Sequence, residues 1–491
     1  MSSWPDYLVI IVYFAVMIAV GFLGVRRARS TDDFLVAGRR LGHWRYASTL
    51  SAVVLGGAST IGGVRLGYKY GISGMWMVFW LGAGIVLLGA AFSPILSRLR
   101  VYTVAEMMER RHDGSSRLIS GLIMAAYDLM VAVTATIAIG TVFSVLLGIS
   151  SSWAILLGGG VVVAYSVLGG MWSITLTDII QFVVMTVGMF LLFLPLAISK
   201  AGGWSAMWDK APSGFTSIAN MGGSTIWTYF LLFFFGIMIG QDIWQRVFTA
   251  KSVSVARWGG VVAGLYCIAY AIAGALIGTG IRVLLPNLTV PDNAFAEGAK
   301  LILPVGVTGL VLAAALAAIM STASACLMAS STILANDVVV RFILRRTDQR
   351  ATLLVNRVFL LSVGVAVIIV SLVIKDVVGG LTVAYDMLVG ALVVPIVGAL
   401  FWKRATTAGA VSAMVIGTVV MVVMMAVRHD LYTNDAITYS LVASLVTYIG
   451  VSLATPKPSA EKLEEWAEAT GEGSGAPQVP PVDAGAVGQE G

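Results

Sequence analysis

The sequence predicts an all-α polytopic membrane protein of about 13 transmembrane helices. Three observations predict it. Of the 491 residues, 58% are hydrophobic and 11% charged, against roughly 25% charged in a soluble domain. Thirteen segments stay apolar over the roughly 20 residues that a spanning helix needs. The Lys and Arg between them are crowded and sparse in alternation. No soluble fold of this length hides so much apolar side chain, because surface-to-volume scaling leaves too much exposed. Lipid therefore solvates much of the surface.

The first segment, 7–25, follows Asp6 and precedes Arg26, Arg27 and Arg29. A signal peptide carries its positive charge before the apolar run, so this segment reads as a retained helix, span 0. Spans 1 to 12 follow at 46–64, 74–96, 118–147, 153–170, 174–199, 225–244, 258–281, 306–334, 352–374, 378–402, 408–427 and 436–454. With the N-terminus outside and one crossing per span, the inner segments hold 23 of the 31 Lys and Arg. The outer segments hold the other 8: Arg65, Lys69, Lys200, Lys210, Arg282, Lys300, Lys375 and Arg428. This is the inward bias of the positive-inside rule. It predicts a multi-pass plasma (inner) membrane protein with a cytoplasmic C-terminus. From Pro456 the composition turns to Pro, Gly, Glu and Ala. The expected organisation is a transmembrane domain over 1–455 and a disordered cytoplasmic tail over 456–491, with a short helix at 461–469.

The net charge of +6 follows the loops and does not point to nucleic acid. Cys267 and Cys326 lie in apolar runs, which argues against a disulfide framework. His43, His112 and His429 form no cluster. The sequence carries no spaced His/Glu metal motif and no nucleophile–base pair, so an enzyme is not expected. Nor is a channel, because no pore loop repeats. No obligate protein partner is evident; the expected partners are the bilayer and a small-molecule solute.

Lipid tolerates broken backbone only where protein or a water-filled cavity covers it. Span 1 contains Gly56, Gly57, Gly62 and Gly63 around Ala58-Ser59-Thr60. One reading is close helix packing through glycine. The other is an unwound segment whose free carbonyls face an ion or solute. Span 8 contains Ala318 and the adjacent Ser321 and Thr322. Such hydroxyls can simply bond back to the preceding turn. Two hydroxyls and one carbonyl from span 8, facing two carbonyls of a broken span 1, would instead make a five-oxygen cage for Na+.

Several motifs bring a family into view: Asp33-Phe-Leu-Val-Ala-Gly-Arg39, Thr177-Asp-Ile-Ile-Gln181, Gln245-Arg246 with Ala250-Lys251-Ser252, Met320-Ser-Thr322 with Ser330-Ser331 and Asp337, and Phe401-Trp-Lys-Arg404. In this order, over a matching helix count, the chain resembles the sodium:solute symporter family from about residue 7 to 410. The resemblance implies a leucine-transporter-type 5+5 inverted repeat, at about 46–199 and 225–402, with spans 1 and 6 broken. The helices at 7–25, 408–427 and 436–454 are then extra. It implies sodium as the transported coupling ion, with no organic cofactor. The sodium ligands would be the carbonyls of Val54, Gly57 and Ala318 and the hydroxyls of Ser321 and Thr322. It makes Asp178 an ion-release residue, where its sequence position alone reads as an interfacial helix cap.

A central solute site would draw on Gly56, Ser59, Thr60, Thr134, Phe233, Gly236 and Tyr385. Gly56 stands where other members have Asp or Asn, and Phe233 and Gly236 argue against a sugar. The stretch from Gly57 to Gly71 is similar to the pantothenate branch and points to a carboxylate solute. Asp128, near the middle of span 3, is an intramembrane acid of the kind that marks function. It is suited to a second cation, a proton or a cationic group, or it forms a structural pair. The expected function is sodium-coupled import by alternating access; the alternative is proton coupling through Asp128.

Overall fold

The computed structural model describes residues 4–344, 349–374, 377–428 and 435–471. Among them every regular element is helical, and the one extended pairing is an isolated bridge between Leu41 and Ala250. Ten helices are long and apolar enough to cross a bilayer, or eleven if the bent pair Gly223–Ile239 and Gln241–Val247 is one span. Two of these runs, Ala58–Leu99 with 42 residues and Ser151–Lys200 with 50, are about twice what a bilayer accommodates. Each is interrupted by a glycine in the left-handed region, Gly71 (φ 65°) and Gly170 (φ 54°). A side chain is disfavoured there. Each run is long enough for two crossings, so ten or eleven apolar runs stand against the about 13 helices expected.

Span 8, within Val307–Leu344, is the central post: 89% of its apolar window is buried, against 28% for span 0. Its run of Ala and Ser lets span 3 (Gly114–Leu147), the Ser151–Thr186 helix and span 0 close around it, as small residues do in bilayers. The peripheral spans 0, 9, 11 and 12 present Ile11, Leu354, Val422 and Val446 outward. These are the side chains that lipid would solvate.

Two spans are broken. Span 1 runs as His43–Val54, leaves the helix at Leu55 (φ −92°, ψ 60°), and resumes over Ala58–Tyr70. Span 6 bends by 45° at Gly240, whose ψ of 134° leaves the helix for one residue. The sequence motif from Asp33 to Arg39 explains itself here. Phe34, Leu35, Val36 and Ala37 are fully buried. The Gln245 amide, beyond the break in span 6, donates to the Leu35 carbonyl at 2.9 Å and to Thr332 at 3.1 Å.

The tail begins with a helix close to the expected 461–469, and its docking is what the sequence did not announce. Ala460–Thr470 is a helix capped by Ser459, and it docks on the protein through the buried Trp466. Arg98 donates to the Thr470 carbonyl at 3.3 Å, and the Lys462 ammonium donates to the His112 carbonyl. The rest of the expected disordered tail, 472–491, and His429 lie outside the described residues.

Candidate functional site

A helix end leaves its last four carbonyls without intrahelical partners. At the break in span 1, three of these find hydroxyls. Ser321 donates to Ala52 at 2.6 Å, Thr322 to Val53 at 2.8 Å, and Ser59 to Val54 at 3.1 Å. The Ala318 carbonyl lies 2.8 Å from the Ser321 hydroxyl and 3.5 Å from that of Thr322. Two broken-helix carbonyls, one span 8 carbonyl and two hydroxyls therefore do converge. The span 1 carbonyls bonded to those hydroxyls belong to Ala52 and Val53, whereas the sequence resemblance implies Val54 and Gly57. Val54 and Gly57 border the cavity beside them.

The glycines serve close approach as well as the break. A Cβ on Gly56 would sit 2.5 Å from Thr322 Oγ1, and one on Gly57 would sit 3.0 Å from Ile319 Cγ1. The packing reading and the unwinding reading of span 1 therefore hold together. Only without side chains at 56 and 57 can the broken backbone lie against span 8.

The break opens on a narrow cavity of about 50 Å³, lined by spans 1, 2, 3, 6 and 10 and by Thr322 of span 8, room for a few waters or a small group. Of the seven residues expected around a solute, Gly56, Ser59, Thr134, Phe233 and Tyr385 line it. Thr60 does not; its hydroxyl pairs with Tyr270 at 2.9 Å. Gly236 also stands outside, packed against the Tyr385 ring. Tyr385 meets Tyr127 and Phe233 edge-on, with ring centroids 5.3 and 5.2 Å apart. Trp227, on the same span, is exposed and lies tilted against Phe230. The Thr134 hydroxyl bonds back to Val131 at 2.9 Å.

The two expected acids occupy different settings. Asp178 is fully buried within the Ser151–Thr186 helix and does not cap a helix. It accepts from the Thr49 hydroxyl and lies 3.5 Å from the Arg246 guanidinium. It thereby ties spans 1, 5 and 6 together. Asp128 is also fully buried; neither of its carboxyl oxygens has a side-chain hydrogen-bond partner, and the Asp242 backbone lies beside it.

Sequence reasoning missed Asp242, the second residue past the break in span 6. One of its carboxylate oxygens is unpartnered, and it lines the cavity. Oxygens of Asp128 and Asp242 and the Cys326 sulfur lie within 4.8 Å of one another. The only advance sign was the Gly240-Gln-Asp242 triplet interrupting an apolar run.

Comparison with known proteins fits this geometry. A profile of the sodium:solute symporter family matches residues 34–417. A sodium/proline symporter of Staphylococcus aureus is 28% identical over 498 residues, covering 94% of each chain. Among solved structures, a Na+-coupled sialic acid symporter in a substrate-bound outward-open state superposes with a TM-score of 0.81. It is 18% identical, over 93% of this chain and 99% of that one. A nucleobase-cation-symport-1 family transporter, closed with bromovinylhydantoin bound, gives 0.55 at 15% identity, over 89% and 98%. At these identities the structural likeness carries the fold alone, the leucine-transporter-type arrangement with its broken spans. The profile match goes further: this chain belongs to the sodium:solute symporter family, whose members are transporters and not enzymes.

Proposed function

We propose that this chain is a sodium-coupled symporter that imports a small organic solute by alternating access. One observation carries the reading. Five oxygens from two distant spans, those of Ala52, Val53, Ala318, Ser321 and Thr322, gather at the break beside the cavity. Carbonyls freed by an unwound helix are the ligands that such transporters offer to Na+. Val54 and Gly57, which flank the break, complete the shell as the ion enters and the two hydroxyls turn their lone pairs to it. Sodium held there fastens span 1 to span 8 and finishes the wall of the solute cavity. The inverted repeats, 46–199 and 225–402, then rock to open inward, and the ion leaves past Asp178. Coupling is reciprocal: the factor that sodium adds to solute affinity, solute adds to sodium affinity.

A carboxylate on the solute is the second part of this reading. The resumed half of span 1 begins at Ala58 with no side-chain cap. Its first N–H groups carry the positive end of the helix dipole, and Ala58 and Ser59 line the cavity. The solutes named for the relatives, proline and a sialic acid, each carry a carboxylate. The membrane orientation, N-terminus outside and C-terminus inside, rests on the distribution of Lys and Arg.

In proteoliposomes, Ser321→Ala and Thr322→Ala should each raise the sodium concentration needed for uptake by roughly tenfold. That corresponds to the loss of one oxygen ligand to the ion, about 1.4 kcal/mol for a tenfold change. Unchanged sodium dependence in both variants would refute the ion site. The buried Asp128 favours a second reading, proton coupling on the same scaffold. It requires uptake driven by a pH gradient without sodium and abolished in Asp128→Asn.

A further inference from the structure

Among the residues lining the cavity, Asp242 alone carries a formal charge. Asp128 stands behind it, fully buried, with no side-chain partner for either oxygen and the Asp242 backbone beside it. Their carboxyl oxygens approach within 4.8 Å, so the two must share a proton unless a cation sits beside them. Arg246 gives partial relief, since its charge acts on both carboxyls while its ion pair is with Asp178. One of its nitrogens reaches the Asp242 backbone carbonyl at 3.4 Å, and another pairs with Asp178 at 3.5 Å. Three buried carboxylates thus share one guanidinium. A buried carboxylate left without a counter-charge is costly by several kcal/mol. The pocket is built for a cation that arrives with the solute.

The walls say which kind of cation. Tyr127, Phe233 and Tyr385 form an edge-to-face aromatic set around the same space. Aromatic rings attract organic ammonium groups. Two carboxyls and one thiol make three ligands, so a metal ion here would need water or solute to complete its shell, and the aromatic walls offer it none.

We propose that Asp242, reinforced by Asp128 and walled by Tyr127, Phe233 and Tyr385, binds an ammonium group of the transported solute. With a carboxylate at the N-terminus of the resumed span 1, the solute class becomes a zwitterion. Without one, it becomes an amine. The inference rests on the cavity being the solute site and is independent of which ion drives transport.

The test is a thermal-shift titration of the purified full-length protein in sodium, using pairs matched in shape. L-proline is set against cyclopentanecarboxylate, γ-aminobutyrate against valerate, and choline against its neutral carbon isostere. The expected result is stabilisation by at least one ammonium compound, with its isostere needing roughly thirtyfold more or failing. In Asp242→Asn, eluting as a monodisperse peak, that preference should vanish. Equal response to both members of every pair overturns the proposal. So does silence of all three ammonium compounds, a preference surviving in Asp242→Asn, or stabilisation by Mn2+ or Zn2+ instead. A parallel titration of sodium against potassium reports on the symport reading separately. A chain that answers to ammonium compounds but not to sodium would keep this proposal and lose that one.

Discussion

Gly56→Ala puts the broken helix to a direct test. The new Cβ would lie 2.5 Å from Thr322 Oγ1, 3.0 Å from Thr322 Cβ and 3.2 Å from Thr322 Cγ2. An ordinary contact begins near 3.4 Å, so span 1 and span 8 must part by several tenths of an ångström. Gly56 has no positive φ, and alanine would restrict the unfolded chain, a gain of about 0.4–1 kcal/mol. Overpacking costs about 1–3 kcal/mol, and the rigid, β-branched Thr322 cannot swing clear. The clash should win. Because the parting falls between the proposed sodium ligands, its cost should appear in sodium affinity, as a loss of roughly 5- to 150-fold. The assay is the sodium concentration giving half-maximal uptake in proteoliposomes, with melting temperature measured alongside. Combining Gly56→Ala with Thr322→Ala separates the two effects. Removing Oγ1 and Cγ2 relieves most of the clash, so the pair should melt above the sum of its single losses. Sodium affinity should stay low, because a ligand is gone. Gly56→Ala with wild-type sodium dependence would refute the argument. So would a double variant that regains it.

Three further outcomes follow from the geometry. Arg246→Met removes the ion pair of Asp178 and the cation nearest Asp128 and Asp242, a loss of up to about 3–5 kcal/mol. The variant should aggregate on extraction, and adding Asp178→Asn should recover part of the monodisperse peak. Trp466→Ala removes the buried anchor of Ala460–Thr470, near the low end of the roughly 3–5 kcal/mol for core aromatics. Limited proteolysis should then cut that helix first, and an unchanged digest would count against its docking. His112, outside the membrane, is held down at about 3 by burial and then by the Arg111 and Lys462 charges. A base lowered in the native state protonates first in the opened one. Tail docking is therefore complete above about pH 6.5 and is lost as pH falls toward 3. Proteolysis at pH 5 against pH 8 should show the difference, and His112→Gln should flatten it.

Hydropathy and charge alternation made the spans legible, because lipid constrains every residue along a crossing. The break in span 1 was legible too: four glycines and a Ser-Thr pair have few uses in an apolar run. Its register was not. Whether Ser321 meets the carbonyl of Ala52 or of Val54 depends on where Leu55 leaves the helix, a choice of dihedral that no residue type dictates. Asp242 was overlooked because the residues after Gly240 read as the cytoplasmic end of span 6. The 45° bend carries them back under the cavity. Thr60 and Gly236 stand outside the cavity for one shared reason. They lie on its spans, but rotation about the helix axis decides which face lines it. The docked tail helix depended on Arg98 and His112, more than 340 positions away in sequence, and composition holds no trace of that contact.

The hydroxyls at the span 1 break have a consequence for the strength of the proposed ion site. A hydroxyl is donor and acceptor at once, and Ser321 and Thr322 donate to the carbonyls of Ala52 and Val53. On the proposed reading an arriving Na+ would have to turn those O–H groups aside before the oxygens face it, which blunts its grip. A carrier that has to let go on every cycle would be served by such a placeholder, where a cage of bare carbonyls would hold too tightly.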